Sequence, residues 1–206
     1  MVEDEFKRKL VKPWLINAEK SCAKNNYFEG LIYLWIVFNS WLSSVCIDIH
    51  KVEVDRYLIE AAGWDNHLRR KFEKLKEDDR KFCTDIKNFA QLWPVFKTRV
   101  LRNVGVTPWS GIKSSRGAFR ERCFSLENDG LIGKRDYAPR CYREHIRKEQ
   151  KVPDDFAHVL RAIYAVRCDL FHGGKSIYYG GDTIFVELAF KILWTTWGEE
   201  QYRKLL

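Results

Sequence analysis

Apolar residues recur at helical spacing along most of this chain, and they predict an almost entirely α-helical protein. The clearest stripe, with an apolar residue every three or four positions, consists of Phe156, Val159, Leu160, Ile163, Val166 and Leu170. Pro153-Asp154-Asp155 precedes this stripe and Gly173-Gly174 follows it. Proline and acids are typical of a first helical turn, and glycine is typical of a helix end. We therefore predict a helix that closes at the two glycines.

The same spacing predicts an all-α bundle of about five to seven helices, with no strands. The helices are expected at 4–24, 27–48, 53–77, 79–101, 139–150 and 183–203. Residues 103–138 break the pattern with glycines, Pro108 and several charges, and they predict an irregular insertion with a short helix around 115–125. We expect one domain over 1–206 that carries this insertion.

The segment Leu31 to Ile47 is uncharged over 17 residues, which raises the alternative of a membrane span. A span needs about 20 residues, and this segment contains Asn39 and several serines. A helix buried on most sides explains it better, so we expect no membrane contact.

The net charge of +8 and a pI near 9.2 favour an anionic partner, nucleic acid first and a membrane surface second. From Lys113 to Lys151 there are 11 Lys or Arg against 6 Asp or Glu. Here Arg116, Arg120 and Arg122 alternate with aromatic residues, a composition that suits single-stranded RNA. The alternative is a solvated surface that binds nothing.

The six cysteines show no zinc-binding or redox spacing, and we expect no metal and no cofactor. Met1 is followed by Glu3, Asp4 and Glu5, which does not resemble a signal peptide. Scattered thiols without an export signal indicate a cytoplasmic protein.

Arg167 and His172 bracket four residues at the end of the predicted helix. Arginine can hold a phosphate through two parallel N–H bonds, and histidine exchanges protons near neutral pH. The spacing alone is weak, because Arg140 and His145 repeat it. That second pair lies in a very polar stretch and is interpreted as a solvated helix face.

The segment Val166-Arg167-Cys168-Asp169-Leu170-Phe171-His172-Gly173 resembles the signature of the HEPN superfamily, the higher eukaryote and prokaryote nucleotide-binding domains. Leu34-Trp-Ile-Val-Phe-Asn39-Ser-Trp41 is similar to an early aromatic helix of that family. The resemblance implies a helical bundle that dimerises, often as a metal-independent endoribonuclease. Many members have Asn, Asp or His directly after the arginine, whereas this chain has Cys168.

The turn Gly174-Lys175-Ser176 is similar to the last residues of a phosphate-binding P-loop. A P-loop needs a further glycine where Asp169 stands, and it follows a strand, so we exclude a nucleoside triphosphatase. Lys175 and Ser176 remain candidates for phosphate contact in RNA binding. The alternative is an ordinary loop.

These features lead to a mechanistic hypothesis in which RNA is cut through attack by its own 2′-OH. His172 would move protons and Arg167 would stabilise the oxyanion, while Asp169 either orients the imidazole or is a solvated acid. The resemblance implies a homodimer with two Arg and two His in one cleft. We expect a toxin-like or defence-related ribonuclease with an antitoxin or other regulatory partner. The alternative is a non-catalytic RNA- or nucleotide-binding or dimerisation module.

Overall fold

The computed structural model describes residues 9, 11–45, 59, 62–63, 65–91, 97–105, 116–133, 153–175 and 180–205. Helices account for nearly all of these residues, and no strand occurs among them. The all-α prediction is therefore confirmed for the described part of the chain.

The helices follow one another in this order: α1 (Lys12–Ala23), α2 (Tyr27–Val45), α3 (Asn66–Asp78), α4 (Arg80–Gln91), α5 (Thr98–Asn103), α6 (Arg116–Asn128), α7 (Phe156–Phe171), α8 (Gly180–Leu193), a π-helical turn (Trp194–Gly198) and α9 (Glu199–Leu205). Helix α1 has Pro13 in its first turn, a position that suits proline better than a helix interior. The predicted start of this helix at residue 4 lies outside the described residues. The predicted helix at 139–150 lies outside the described residues.

Two compact units make up the chain: Met1–Asp85 with Val186–Leu206, and Ile86–Phe185. In the first unit α2 is buried on most sides, as its uncharged sequence predicts, through Leu31, Leu34, Trp35, Val37, Phe38 and Leu42. Trp197 packs with its ring centroid 5.2 Å from that of Phe38 and 5.5 Å from that of Trp41. None of the described helices is long and apolar enough to cross a bilayer.

The π-helical turn gives the end of the first unit a feature that helical spacing does not predict. The Thr196 hydroxyl donates a 2.7 Å hydrogen bond to the Ile192 carbonyl. A Cβ on Gly198 would lie 2.8 Å from Trp194 Cε3 and 2.9 Å from a methyl group of Leu34, so glycine is needed there. Just beyond, Glu200 accepts a 2.8 Å hydrogen bond from the Lys71 ammonium.

The second unit is built around α7. Its predicted stripe is buried from Phe156 to Val166, while Leu170 is half-buried. The predicted insertion contains α6, which is longer than expected and is anchored by Cys123 and Leu126. Burial raises the pKa of the Cys123 thiol to about 12, so it is a core residue rather than a reactive thiol.

Candidate functional site

Helix α7 begins at a capped N-terminus. Asp155 is the N-cap residue, and its carboxylate accepts a 3.2 Å hydrogen bond from the backbone N–H of His158. The other carboxylate oxygen lies 2.6 Å from His158 Nδ1. Burial raises the pKa of Asp155, but hydrogen bonds and charge from His158 outweigh burial and leave the pKa below its usual value. Asp155 therefore lies just before the first turn of α7, whereas the sequence predicted an acid within that turn.

The predicted glycine stop at the other end of α7 is confirmed. His172 is the C-cap residue, and its backbone N–H donates a 3.0 Å hydrogen bond to the Cys168 carbonyl. Gly173 has a φ of +70°, the left-handed conformation that favours glycine directly after a helix. The N–H of Gly174 then donates a 2.6 Å hydrogen bond to the Asp169 carbonyl. This turn leaves the His172 side chain exposed at the helix end.

Arg167 is half-buried one turn before His172. Its guanidinium carbon lies 4.7 Å from the centre of the Phe171 ring, within the range of a cation–π interaction. Its Nη1 lies 4.0 Å from the sulfur of Cys168. Because residues five apart diverge by about 140° around a helix, the Arg167 and His172 side chains leave α7 in different directions. One chain thus does not bring the two groups together at one point.

Asp169 is tied to the turn that follows the helix. Its carbonyl accepts hydrogen bonds from Gly174 and Lys175, the latter at 3.2 Å. A Cβ on Gly174 would lie 3.1 Å from Asp169 Cβ and 3.3 Å from its Cγ, so the chain passes close to this side chain. The Asp169 charge also favours the protonated form of Lys175. The structure thus associates Asp169 with Lys175, a relationship that the two sequence-based alternatives did not include.

Lys175, predicted as an RNA contact, is buried. Its side chain is 0% exposed, and its Nζ lies 3.4 Å from a carboxylate oxygen of Asp182, which is 1% exposed. The same nitrogen lies 4.5 Å from the centre of the Phe185 ring. Burial lowers the pKa of Lys175 to about 8, although Asp182 and Asp169 oppose this shift. The ammonium group faces Asp182, so the RNA contact stays a prediction that this burial does not favour. Ser176 lies outside the described residues.

The predicted RNA-binding arginines of the insertion belong to α6. Arg122 is exposed on this helix, next to the buried Cys123. Arg116 and Arg120 are in the first turns of α6, and their side chains lie outside the described residues. Their role in RNA binding stays a prediction.

A cleft that sequence reasoning missed opens beside the turn after α7. It has a volume of about 450 Å³ and is lined by Arg99, Arg102, Asn103, Gly173, Gly174, Lys175 and Asp182. The local signal was the spacing of Arg99 and Arg102, which places both on one face of a helix. Nothing in the sequence linked this short helix to a turn some 70 residues later.

Comparison of the chain with protein-family models, curated proteins and solved structures found no match in any of the three. In the part of the chain that the structure describes, no group of three or more His, Cys, Asp or Glu side chains is placed to hold a metal ion. The functional interpretation therefore depends on the residues at the end of α7 and on the turn that follows.

Proposed function

We propose that this protein is a HEPN-type endoribonuclease that cleaves RNA through attack of the 2′-OH on the adjacent phosphorus. A bond forms between the 2′ oxygen and phosphorus, and the bond from phosphorus to the 5′ oxygen breaks. One His172 accepts the 2′ proton, and a second, protonated His172 gives a proton to the departing 5′ oxygen. Arg167 stabilises the negative charge on the crowded phosphate. The products are a 2′,3′-cyclic phosphate and a 5′-OH end.

The position of His172 is the observation that supports this proposal most directly. The capped helix and the turn of Gly173 and Gly174 fix the backbone on both sides of His172 while its side chain stays exposed. Arg167 lies on the preceding turn and is held against Phe171. A fixed backbone with an accessible imidazole suits proton transfer to a bound strand.

The proposed site is shared between two copies of the chain. The divergence of Arg167 and His172 around α7 means that a partner must supply the groups that one chain cannot bring together. Phe171 lies between them in sequence, and its side chain is 50% exposed. An exposed aromatic residue at this place suits a dimer contact at the site.

Cleavage of a mixed RNA substrate in excess chelator tests the proposal. We expect cyclic-phosphate ends from the wild type and a loss of about 100-fold or more in rate for Arg167→Ala and for His172→Ala. His145→Ala is the matched control, because it removes the histidine of the second Arg-x4-His match, and it should cleave at the wild-type rate. If both α7 variants cut as fast as the wild type, the proposal is wrong.

Mixing the wild type with His172→Ala tests the shared site. A mixed dimer retains both arginines but only one of the two histidines that the proposed proton transfers need. We expect excess His172→Ala to lower the cleavage rate per wild-type chain, whereas independent sites would leave that rate unchanged.

A non-catalytic RNA-binding or dimerisation module is the second candidate. One argument for it is that Asp169 accepts hydrogen bonds from the turn and interacts electrostatically with Lys175. The other is that Cys168 occupies a position where many members of the proposed family have a polar residue. RNA binding by the wild type with no cleavage at any pH from 5 to 9 (about two units either side of neutral) would select this candidate.

The regulatory part of the proposal is that the protein is toxin-like or defence-related and is restrained by a partner. If the wild type slows the growth of its expression host and His172→Ala relieves the effect, catalysis in the cell is supported.

A further inference from the structure

The cleft beside the turn after α7 has a basic lining. Two arginines come from α5, Gly173, Gly174 and Lys175 come from the turn, and Asp182 comes from α8. All of these residues belong to one compact unit. The cleft is large enough for a small ligand, since ligand pockets start at about 300 Å³.

Helix α5 is short and carries the guanidinium groups of Arg99 and Arg102. Arg99 and Arg102 are three residues apart and both are exposed, so they share the solvent-facing side of the helix. Leu101 is 0% exposed and anchors the other side in the core of this unit. Two neighbouring arginines on an anchored helix form a suitable site for an oxyanion, because each guanidinium can donate two parallel N–H bonds.

The other two charged side chains of the cleft, Lys175 and Asp182, face each other. The Lys175 ammonium and the Asp182 carboxylate form a buried pair, so their charges largely compensate each other. The N–H groups of Gly174 and Lys175 donate to the Asp169 carbonyl. The net positive charge of the lining is therefore that of Arg99 and Arg102, and it favours an anionic ligand.

We propose that this cleft binds a phosphodiester of the RNA strand, next to the one that is cleaved, through Arg99 and Arg102. The inference rests on the proposed function, because it takes the strand at His172 as given. Gly173 lines the cleft and directly follows His172, and consecutive Cα atoms are about 3.8 Å apart. A strand with one phosphate at His172 has its neighbouring phosphates within reach of this cleft.

Binding of RNA to an inactive protein tests the inference separately from catalysis. The full chain carrying His172→Ala is titrated against a fluorescein-labelled oligouridylate, and anisotropy is followed at several salt concentrations. Arg99→Ala and Arg102→Ala, each added to this background, should weaken binding roughly tenfold. The slope of log affinity against log salt should become shallower by about 0.7 for each lost phosphate contact.

Arg70→Ala is the matched control. Arg70 is exposed on α3 in the other compact unit, in a groove whose three bases, Arg69, Arg70 and Lys74, are balanced by three acids, Glu73, Glu77 and Asp78. The variant removes the same charge from a place that has no net positive charge, and it should leave the affinity and the slope unchanged. Equal weakening by Arg70→Ala and the two α5 variants would overturn the inference, because the effect would then be one of net charge.

A competition with uridine monophosphate separates a strand from a free nucleotide. If the oligouridylate binds at least tenfold more tightly, the strand assignment is supported; equal affinity overturns it. If the wild type cleaves RNA in a way that depends on His172 but both α5 variants bind RNA normally, the proposed phosphate contact in the cleft is wrong and the nuclease proposal stands. Weakened RNA binding by the α5 variants in a protein that cuts no RNA would support the cleft and refute the nuclease.

Discussion

The backbone N–H of Gly174 donates a 2.6 Å hydrogen bond to the carbonyl of Asp169 and so closes the turn that carries His172. This bond spans the end of α7 and returns the chain toward the helix it has just left. The two glycines are needed for different reasons. Gly173 has a left-handed backbone, and a Cβ added to it would have no atom within 4 Å, whereas a Cβ added to Gly174 would contact Asp169.

Asparagine substitutions should separate these two roles. Gly173→Asn places a residue that tolerates the left-handed conformation into open space, and we expect a loss of less than about 1 kcal/mol in the free energy of unfolding. Gly174→Asn brings a Cβ within 3.1 Å of Asp169 Cβ and 3.2 Å of its carbonyl oxygen. It should cost about 1–3 kcal/mol, because the side chain and the carbonyl group of Asp169 have to move slightly to make room. Urea denaturation measures both values, and equal losses would contradict this account.

Removing one charge of the buried pair of Lys175 and Asp182 should lower the free energy of unfolding, whereas replacing both residues by apolar ones should change it little. Asp182→Ala leaves a buried ammonium group without its carboxylate, and we expect a loss of about 3–5 kcal/mol in the free energy of unfolding. The double variant Lys175→Met with Asp182→Leu removes both charges and should be within about 1 kcal/mol of the wild type or more stable. Denaturant unfolding distinguishes the two, and a double variant as unstable as Asp182→Ala would show that the pair itself stabilises the fold.

The pair should also give the stability a defined dependence on pH. The pKa of Lys175 is about 8 in the folded chain, whereas the ordinary value for a lysine is 10.5. Between these values the unfolded chain binds a proton that the folded chain does not, so the free energy of unfolding rises with pH. The slope from this group is at most about 1.4 kcal/mol per pH unit. Subtracting the curve of the double variant isolates this contribution, and a difference that is flat above pH 8 would contradict the lowered pKa.

Substitutions of two exposed apolar residues in the same unit should locate the proposed dimer contact. Phe171 is 50% exposed beside Arg167, and Leu131 is 58% exposed after α6. Phe171→Asp should convert the dimer to a monomer in light scattering, because it places a charge in the apolar contact. Leu131→Asp should leave the assembly unchanged. A wild type that is monomeric at every concentration would remove the basis of the shared site.

The sequence predicts the helices better than it predicts their surroundings. Apolar residues between Phe156 and Val166 recur at helical spacing because one side of α7 is buried. This local pattern is visible in the sequence alone. Pro13 lies in the first turn of α1, where a proline fits, and this too is a local signal. The HEPN resemblance remains a proposal, since it depends on two short segments and not on the arrangement of the helices.

The candidate site was predictable only where it is local. Arg167, His172 and the glycine stop belong to one continuous segment, and the sequence was sufficient for them. Lys175 was interpreted from the glycines beside it, whereas its burial depends on Asp182 and Phe185, which come from the next helix. The cleft was missed because only tertiary packing brings Arg99 and Gly173 to the same cleft.

The π-helical turn at Trp194–Gly198 sets the angular phase of the last helix. Each residue of an α-helix advances the chain by about 100°, so the wider turn rotates everything after Gly198 relative to an uninterrupted helix. Glu200 follows this offset and lies 2.8 Å from the Lys71 ammonium. A chain shortened by one residue here would keep its composition and its helical content, yet it would turn a different side of Glu199–Leu205 toward α3.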